Sequence, residues 1–96
     1  MNYYLLQLKE MVLNELKDEK VRIFLFGSRA RGDSFTVSDV DIGYIPKENF
    51  DERKITFLKD KIEDSNIPYK VEIVNFSKVS EDFKNEALKD IEIWKD

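Results

Sequence analysis

Residues Phe26 to Asp41 read FGSRARGDSFTVSDVD. The stretch opens with Gly27-Ser28 at the end of an apolar run and closes on Asp39 and Asp41, separated only by Val40. On a β-strand successive side chains alternate faces, so Asp39 and Asp41 share one face while Val40 and Ile42 take the other. Their Cα atoms then lie about 6.5–7 Å apart. Two carboxylates on one strand face can converge on hard divalent cations such as Mg²⁺. The Gly27-Ser28 corner offers backbone N–H groups and a hydroxyl to a phosphate. Phosphate and metal groups on one short loop–strand unit point to nucleotide chemistry.

What the chain lacks narrows the chemistry further. There is no Cys, so disulfides, thiolate nucleophiles and Cys-based zinc sites are excluded. There is no His, which removes Ser-His triads and imidazole bases, and with them a serine nucleophile at Ser28. Carboxylates, hydroxyls, Lys, Arg, Tyr and bound metal remain, the kit of metal-assisted phosphoryl or nucleotidyl transfer. The net charge of −4 argues against broad nucleic-acid binding. No apolar run is long enough to span a bilayer and no signal-peptide pattern is visible, so a cytoplasmic protein is expected. At 96 residues, 42% hydrophobic, the expectation is one domain, 1–96.

Outward from the motif, apolar spacing at Leu5, Leu8, Val12 and Leu16 predicts a helix from Tyr3 to about Lys17. Val21–Phe26 (VRIFLF) reads as a buried strand. Ser28–Arg31 reads as one helical turn, and Gly32-Asp33-Ser34 as a turn. Ser38–Ile45 (SDVDIGYI) is a second strand, closed by Pro46. Phe50–Ser65 is predicted as a helix with Ile55, Leu58 and Ile62 inward and Asn49 as its cap. Asn66 to Pro68 break it. Tyr69–Phe76 (YKVEIVNF) alternates as a third strand. Ser80–Asp96 is predicted as a last helix, capped by Ser80, with Phe83, Ala87, Ile91 and Trp94 on one face. The class is α/β, a small mixed sheet covered by helices.

Two neighbouring patterns are set aside. Gly27-x₄-Gly32 has P-loop spacing, but Asp33 stands where the phosphate-binding Lys belongs, and a carboxylate there would repel phosphate. Arg31-Gly32-Asp33 is an adhesion tripeptide only on extracellular proteins.

Gly-Ser, ten residues, then Asp-x-Asp resembles the motif of the DNA polymerase β-like nucleotidyltransferase superfamily. The fuller string GSRARG…SDVDIG, Gly27 to Gly43, is similar to its smallest branch, the minimal nucleotidyltransferase (MNT) domains. The family order of helix, strand, Gly-Ser turn, DxD strand, helix, third-carboxylate strand and final helix can be followed through the whole chain. The resemblance implies the nucleotidyltransferase fold and transfer of AMP from ATP to a hydroxyl. It implies two Mg²⁺ ions at Asp39 and Asp41, with Glu72 completing one site where the family usually has aspartate. Ser28 and the backbone at Gly27 would hold the terminal phosphates. Arg31 matches the family's Ala-Arg-Gly and stands between a phosphate contact and a solvated turn residue; Arg29 reads as solvated turn, and Gly32 as serving backbone geometry.

Larger family members carry a further domain for the acceptor, so the resemblance implies an acceptor on another chain. In this branch that partner is often a small helical HEPN protein, an RNase toxin, and the MNT chain is its antitoxin through AMP transfer to a toxin tyrosine. Two other readings stand beside this one. The chain could neutralise its partner by contact alone, with Glu72 weakening catalysis, or it could modify a small molecule as antibiotic nucleotidyltransferases do.

Overall fold

The computed structural model describes residues 2–31 and 39–96. The expected turn at Gly32-Asp33-Ser34 and the expected strand start at Ser38 lie outside the described residues. The elements run α1 (Tyr3–Glu15), β1 (Val21–Phe26), α2 (Ser28–Arg31), β2 (Val40–Pro46), α3 (Arg53–Glu63), β3 (Val71–Asn75), α4 (Glu81–Ala87) and β4 (Glu92–Lys95). One four-stranded sheet has the order β3-β2-β1-β4. β1 is antiparallel to both neighbours, and β2 is parallel to β3 through the α3 crossover.

Period-two patterning decides the two faces of the sheet. Val40, Ile42 and Tyr44 of β2 and Val21, Ile23 and Leu25 of β1 enter one core, which α1 and α3 cover with Leu5, Leu8, Val12, Ile55, Leu58 and Ile62. Phe24, Phe26 and Phe76 form a second cluster on the opposite face, packed by Ala87 and Leu88 at the end of α4. Gly43 makes that cluster possible, since a Cβ there would collide with the rings of Phe24 and Phe76.

Helix starts follow local capping, with one exception. The Asn2 side chain accepts from Leu5 N at 2.7 Å at the start of α1, and the Ser80 hydroxyl accepts from Phe83 N at 3.2 Å at the start of α4. Glu81 and Asp82 lie in the first turn of α4, where the helix dipole favours acidic side chains. Asn49 does not cap α3. It sits at φ 57°, in the left-handed region Asn tolerates, and turns the chain three residues too early. Asp51 stabilises the entry to α3 instead, accepting from Arg53 N and pairing with its guanidinium at 3.0 Å through Nε. This ion pair holds the Asp51 carboxyl below the usual carboxylate range.

The C-terminal expectation is corrected. The last helix stops at Ala87 rather than running to Asp96, and the chain turns back as β4 to pair with β1. The reason is the open edge of β1, whose backbone groups need partners. Ile91, Ile93 and Trp94 are strand-forming residues that fit this edge. Trp94 is buried in the core beneath α1, while Ile93 pairs with Phe24. The Lys95 ammonium then donates to the carbonyls of Leu16 (2.9 Å) and Glu19 (2.7 Å), tying β4 to the turn past the end of α1.

Candidate functional site

Within β2 the expected alternation is seen at Asp41. Val40 and Ile42 are fully buried in the larger core, and Asp41 between them is half-buried on the opposite face. Asp39 is exposed just before β2. The backbone N of Val40, between the two aspartates, donates to Lys70 O at 2.9 Å and so ties the motif to the entrance of β3.

Register then builds a row across three strands. Asp41 is the Cα partner of Phe26 in β1 and of Glu72 in β3. Neighbouring strands lie about 4.8 Å apart, so Glu72 and Asp41 stand side by side on one sheet face. Val71 and Ile73 pack into the opposite core, which fixes that orientation of Glu72. Glu72 itself is half-exposed and 3.7 Å from the Lys70 ammonium. A pair this solvated contributes at most about 1 kcal/mol and yields readily to a stronger cation.

Gly27 joins the Gly-Ser corner to this row. Its φ is +79°, and a Cβ there would collide with Asp41 Oδ2. Only glycine meets both conditions at low cost, so the turn and the second aspartate are held in contact. Ser28 opens α2 and Arg31 closes it; the phosphate roles expected of these two rest on side chains outside the described residues. Arg29 departs from expectation. It is half-buried, with its guanidinium 4.2 Å over the Tyr69 ring, and Tyr69 meets Tyr4 edge-on at 6.4 Å. The stack ties α2 to the segment leading into β3.

The donor set suits a hard divalent cation: three carboxylates, no sulfur or imidazole, and Asp41 and Glu72 adjacent in register. Among the described residues no three such groups already form a closed cage. A bound ion would offset the repulsion between neighbouring carboxylates.

Among the described residues, a cleft lies on either side of the sheet. The larger, about 410 Å³, lies between α3 and β3 and is lined by Ile62, Ile67, Tyr69, Val71 and Ile73 among others; the DxD carboxylates do not line it. The smaller, about 220 Å³, touches Phe26 and Gly27 and is closed by Phe83, Glu86, Ala87 and Asp90. The sequence offered no mark for this second cleft, because Glu86 and Asp90 read as ordinary solvated charge.

Comparison with known proteins places this arrangement. The family described as polymerase beta, nucleotidyltransferase matches residues 7–96. A Haemophilus influenzae protein named "Probable protein adenylyltransferase MntA" is 32% identical over 62 residues, 65% of this chain and 54% of that protein. The chain thus spans about half the length of this curated relative. A toxin–antitoxin crystal structure with AMP-PNP superposes at a TM-score of 0.67 and 22% identity, over 90% of this chain and 71% of that one. A tri-AMPylated Shewanella oneidensis HEPN toxin in complex with MNT antitoxin gives 0.62 and 20% identity, over 93% and 70%. At these identities the two structures speak to fold, and the fold agrees. With nearly its whole length matched, the chain belongs to the polymerase β nucleotidyltransferase family.

Proposed function

We propose that the chain transfers AMP from ATP to a hydroxyl, a tyrosine of a small helical HEPN-type toxin, and acts as that toxin's antitoxin. The observation that carries the reading is the row Glu72–Asp41–Phe26, with Gly27 pressed against Asp41. It gathers carboxylates beside a phosphate-type turn on one sheet face. The MntA relative and the toxin–antitoxin structures support the choice of acceptor.

Asp39, Asp41 and Glu72 would hold Mg²⁺. When bound, Mg²⁺ supplies charge neutralisation and lowers the pKa of an acceptor hydroxyl. The backbone at Gly27 and Ser28 would hold the β- and γ-phosphates. The acceptor oxygen attacks the α-phosphorus, the bond to the β-phosphate oxygen breaks, and pyrophosphate leaves. The hydroxyl proton passes to the Glu72 carboxylate, which lies at the solvent-open end of the row.

The chain is to be co-purified with its helical partner, given ATP and Mg²⁺, and both proteins weighed by mass spectrometry. The partner should gain one or more AMP units and lose toxicity, and an Asp39/Asp41 double Asn variant should cause neither. Unmodified partner in the presence of the parent chain would sink the transfer reading.

One observation favours a second reading, neutralisation by binding alone. Glu72 is paired with Lys70 and no three described carboxylates converge. Relief of toxicity by the double variant, with no added mass, is its outcome.

A further inference from the structure

α2 holds only four residues, Ser28–Arg31, directly after the Gly-Ser corner. A single helical turn has little stability of its own, because fixing the nucleus costs more than its first hydrogen bonds return. Tertiary contacts must therefore set where it sits. Ala30 packs on the larger core, and Arg29 lays its guanidinium 4.2 Å over the Tyr69 ring.

Tyr69 is itself held on several sides. It is half-buried and packs against the larger core. Tyr4 of α1 meets its ring edge-on at 6.4 Å, and Tyr3 meets Tyr4 edge-on at 5.3 Å. A guanidinium over an aromatic face is attracted by the ring quadrupole, more strongly where both groups are partly out of water. The half-buried Arg29 and Tyr69 meet that condition.

The backbone beside Tyr69 reaches the other half of the site. The Lys70 carbonyl accepts from Val40 N, between Asp39 and Asp41. Two consecutive residues thus hold the helical turn through a side chain and the DxD segment through the main chain. Gly27, at the head of the turn, is pressed against Asp41. A shift of α2 would therefore carry the Gly27-Ser28 backbone away from the carboxylate row. Displacements of about 1 Å are enough to impair a transfer site.

Packing alone would be served by any apolar residue at position 69. The stack needs a π-face, which phenylalanine also offers and leucine does not.

We propose that Tyr69 is a positioning residue: through Arg29 it fixes the Ser28–Arg31 turn beside the DxD carboxylates, in the place that receives a nucleotide's phosphates. The phosphate role of the turn rests on the nucleotide transfer proposed above.

The test is calorimetry on the full chain with Mg²⁺ and ATP. The chains compared are the parent, Tyr69→Leu, Tyr69→Phe, Arg29→Leu and the Tyr69→Leu/Arg29→Leu double variant. Tyr69→Leu should weaken ATP about tenfold, because a turn released from its stack spends less time in the binding geometry. Tyr69→Phe keeps the π-face and should stay within about twofold of the parent. In the Arg29→Leu chain, adding Tyr69→Leu should change the affinity by less than about twofold, since residues that act as a unit lose their effect together. Any charge that Arg29 contributes cancels in this cycle. Thermal melts by circular dichroism check that each variant is folded, and Tyr69→Met replaces Tyr69→Leu should the latter not fold. Three results would each overturn the positioning role and leave transfer standing. They are parent-like affinity in Tyr69→Leu, an equal loss in Tyr69→Phe, and additive losses in the double variant. A parent chain that binds no ATP would overturn both.

Discussion

Gly27 and Asp41 are packed so closely that a Cβ on the glycine would occupy the place of the Asp41 carboxylate oxygen. Gly27→Ala therefore carries two penalties. The left-handed backbone at φ +79° costs an alanine about 1–2 kcal/mol. The methyl group must also push Asp41 out of its row with Glu72. Chemical denaturation should show the backbone loss. Transfer should fall by much more than that stability change explains, about a hundredfold. Parent-like transfer in a folded Gly27→Ala chain would show that the contact does not matter for the chemistry.

Asp41→Asn keeps the shape and removes one negative charge. Its effect on folding should stay within about 0.5 kcal/mol, because the amide keeps the shape of a side chain that is only half-buried. Calorimetry with ATP and Mg²⁺ should instead show a large loss of affinity, and transfer should drop about a hundredfold or more. Unchanged transfer in the Asp39/Asp41 double Asn variant would remove the metal assignment altogether.

Glu72 separates binding from chemistry. Glu72→Gln should abolish most transfer while ATP binding falls less, since Asp39 and Asp41 remain. Glu72→Asp should retain or raise activity, because it restores the aspartate that the resembling family usually has at this position. A Glu72→Gln chain that transfers AMP as well as the parent would mark Glu72 as plain surface.

The site's backbone was readable because its signals are local and periodic. Val40 and Ile42 bracket Asp41, and Val71 and Ile73 bracket Glu72, so strand parity alone set the faces of these two carboxylates. Gly27 announced the corner. The smaller cleft was not readable, since it exists only where α4 folds back over Phe26. Nothing in the order Phe83, Glu86, Asp90 says that it will meet β1. Glu52 is similar: it reads as a helix-start residue, yet it spends its carboxylate on the Tyr44 hydroxyl at 2.8 Å and on Asn75.

That Tyr44 contact makes an alkaline prediction. Burial first, then the hydrogen bond and negative charge of Glu52, raise the Tyr44 pKa above its ordinary value of 10.0. The folded protein thus holds this proton after the unfolded chain has lost it. Stability from this group is intact below about pH 10 and falls as pH rises beyond it. Tyr44→Phe should cost about 1 kcal/mol at neutral pH, leaving Glu52 one donor short, and should flatten the alkaline fall. Urea midpoints followed from neutral pH to about pH 11 would show both. An equally steep fall in Tyr44→Phe would assign it to other groups.

The misread C-terminus supplies the last prediction. Ile91 and Trp94 lie three residues apart, a spacing that suits a helix, and a four-residue strand is too short for alternation to outvote it. The edge of β1 decides the matter, and the consequences differ at Lys95. In the strand its ammonium reaches the carbonyls of Leu16, Lys17 and Glu19, which a continued helix would not bring to it. Lys95→Ala should cost about 1–3 kcal/mol, the loss of a charged donor to partly buried acceptors. Trp94→Ala should cost about 3–5 kcal/mol through the cavity left beneath α1, a large share of a small domain's stability. Hydrogen exchange gives the direct check. Protected amides in β4 that lose protection in Lys95→Ala, with α4 unaffected, are the expected pattern. A continuous run of helical protection from Glu81 to Lys95 would reinstate the helix.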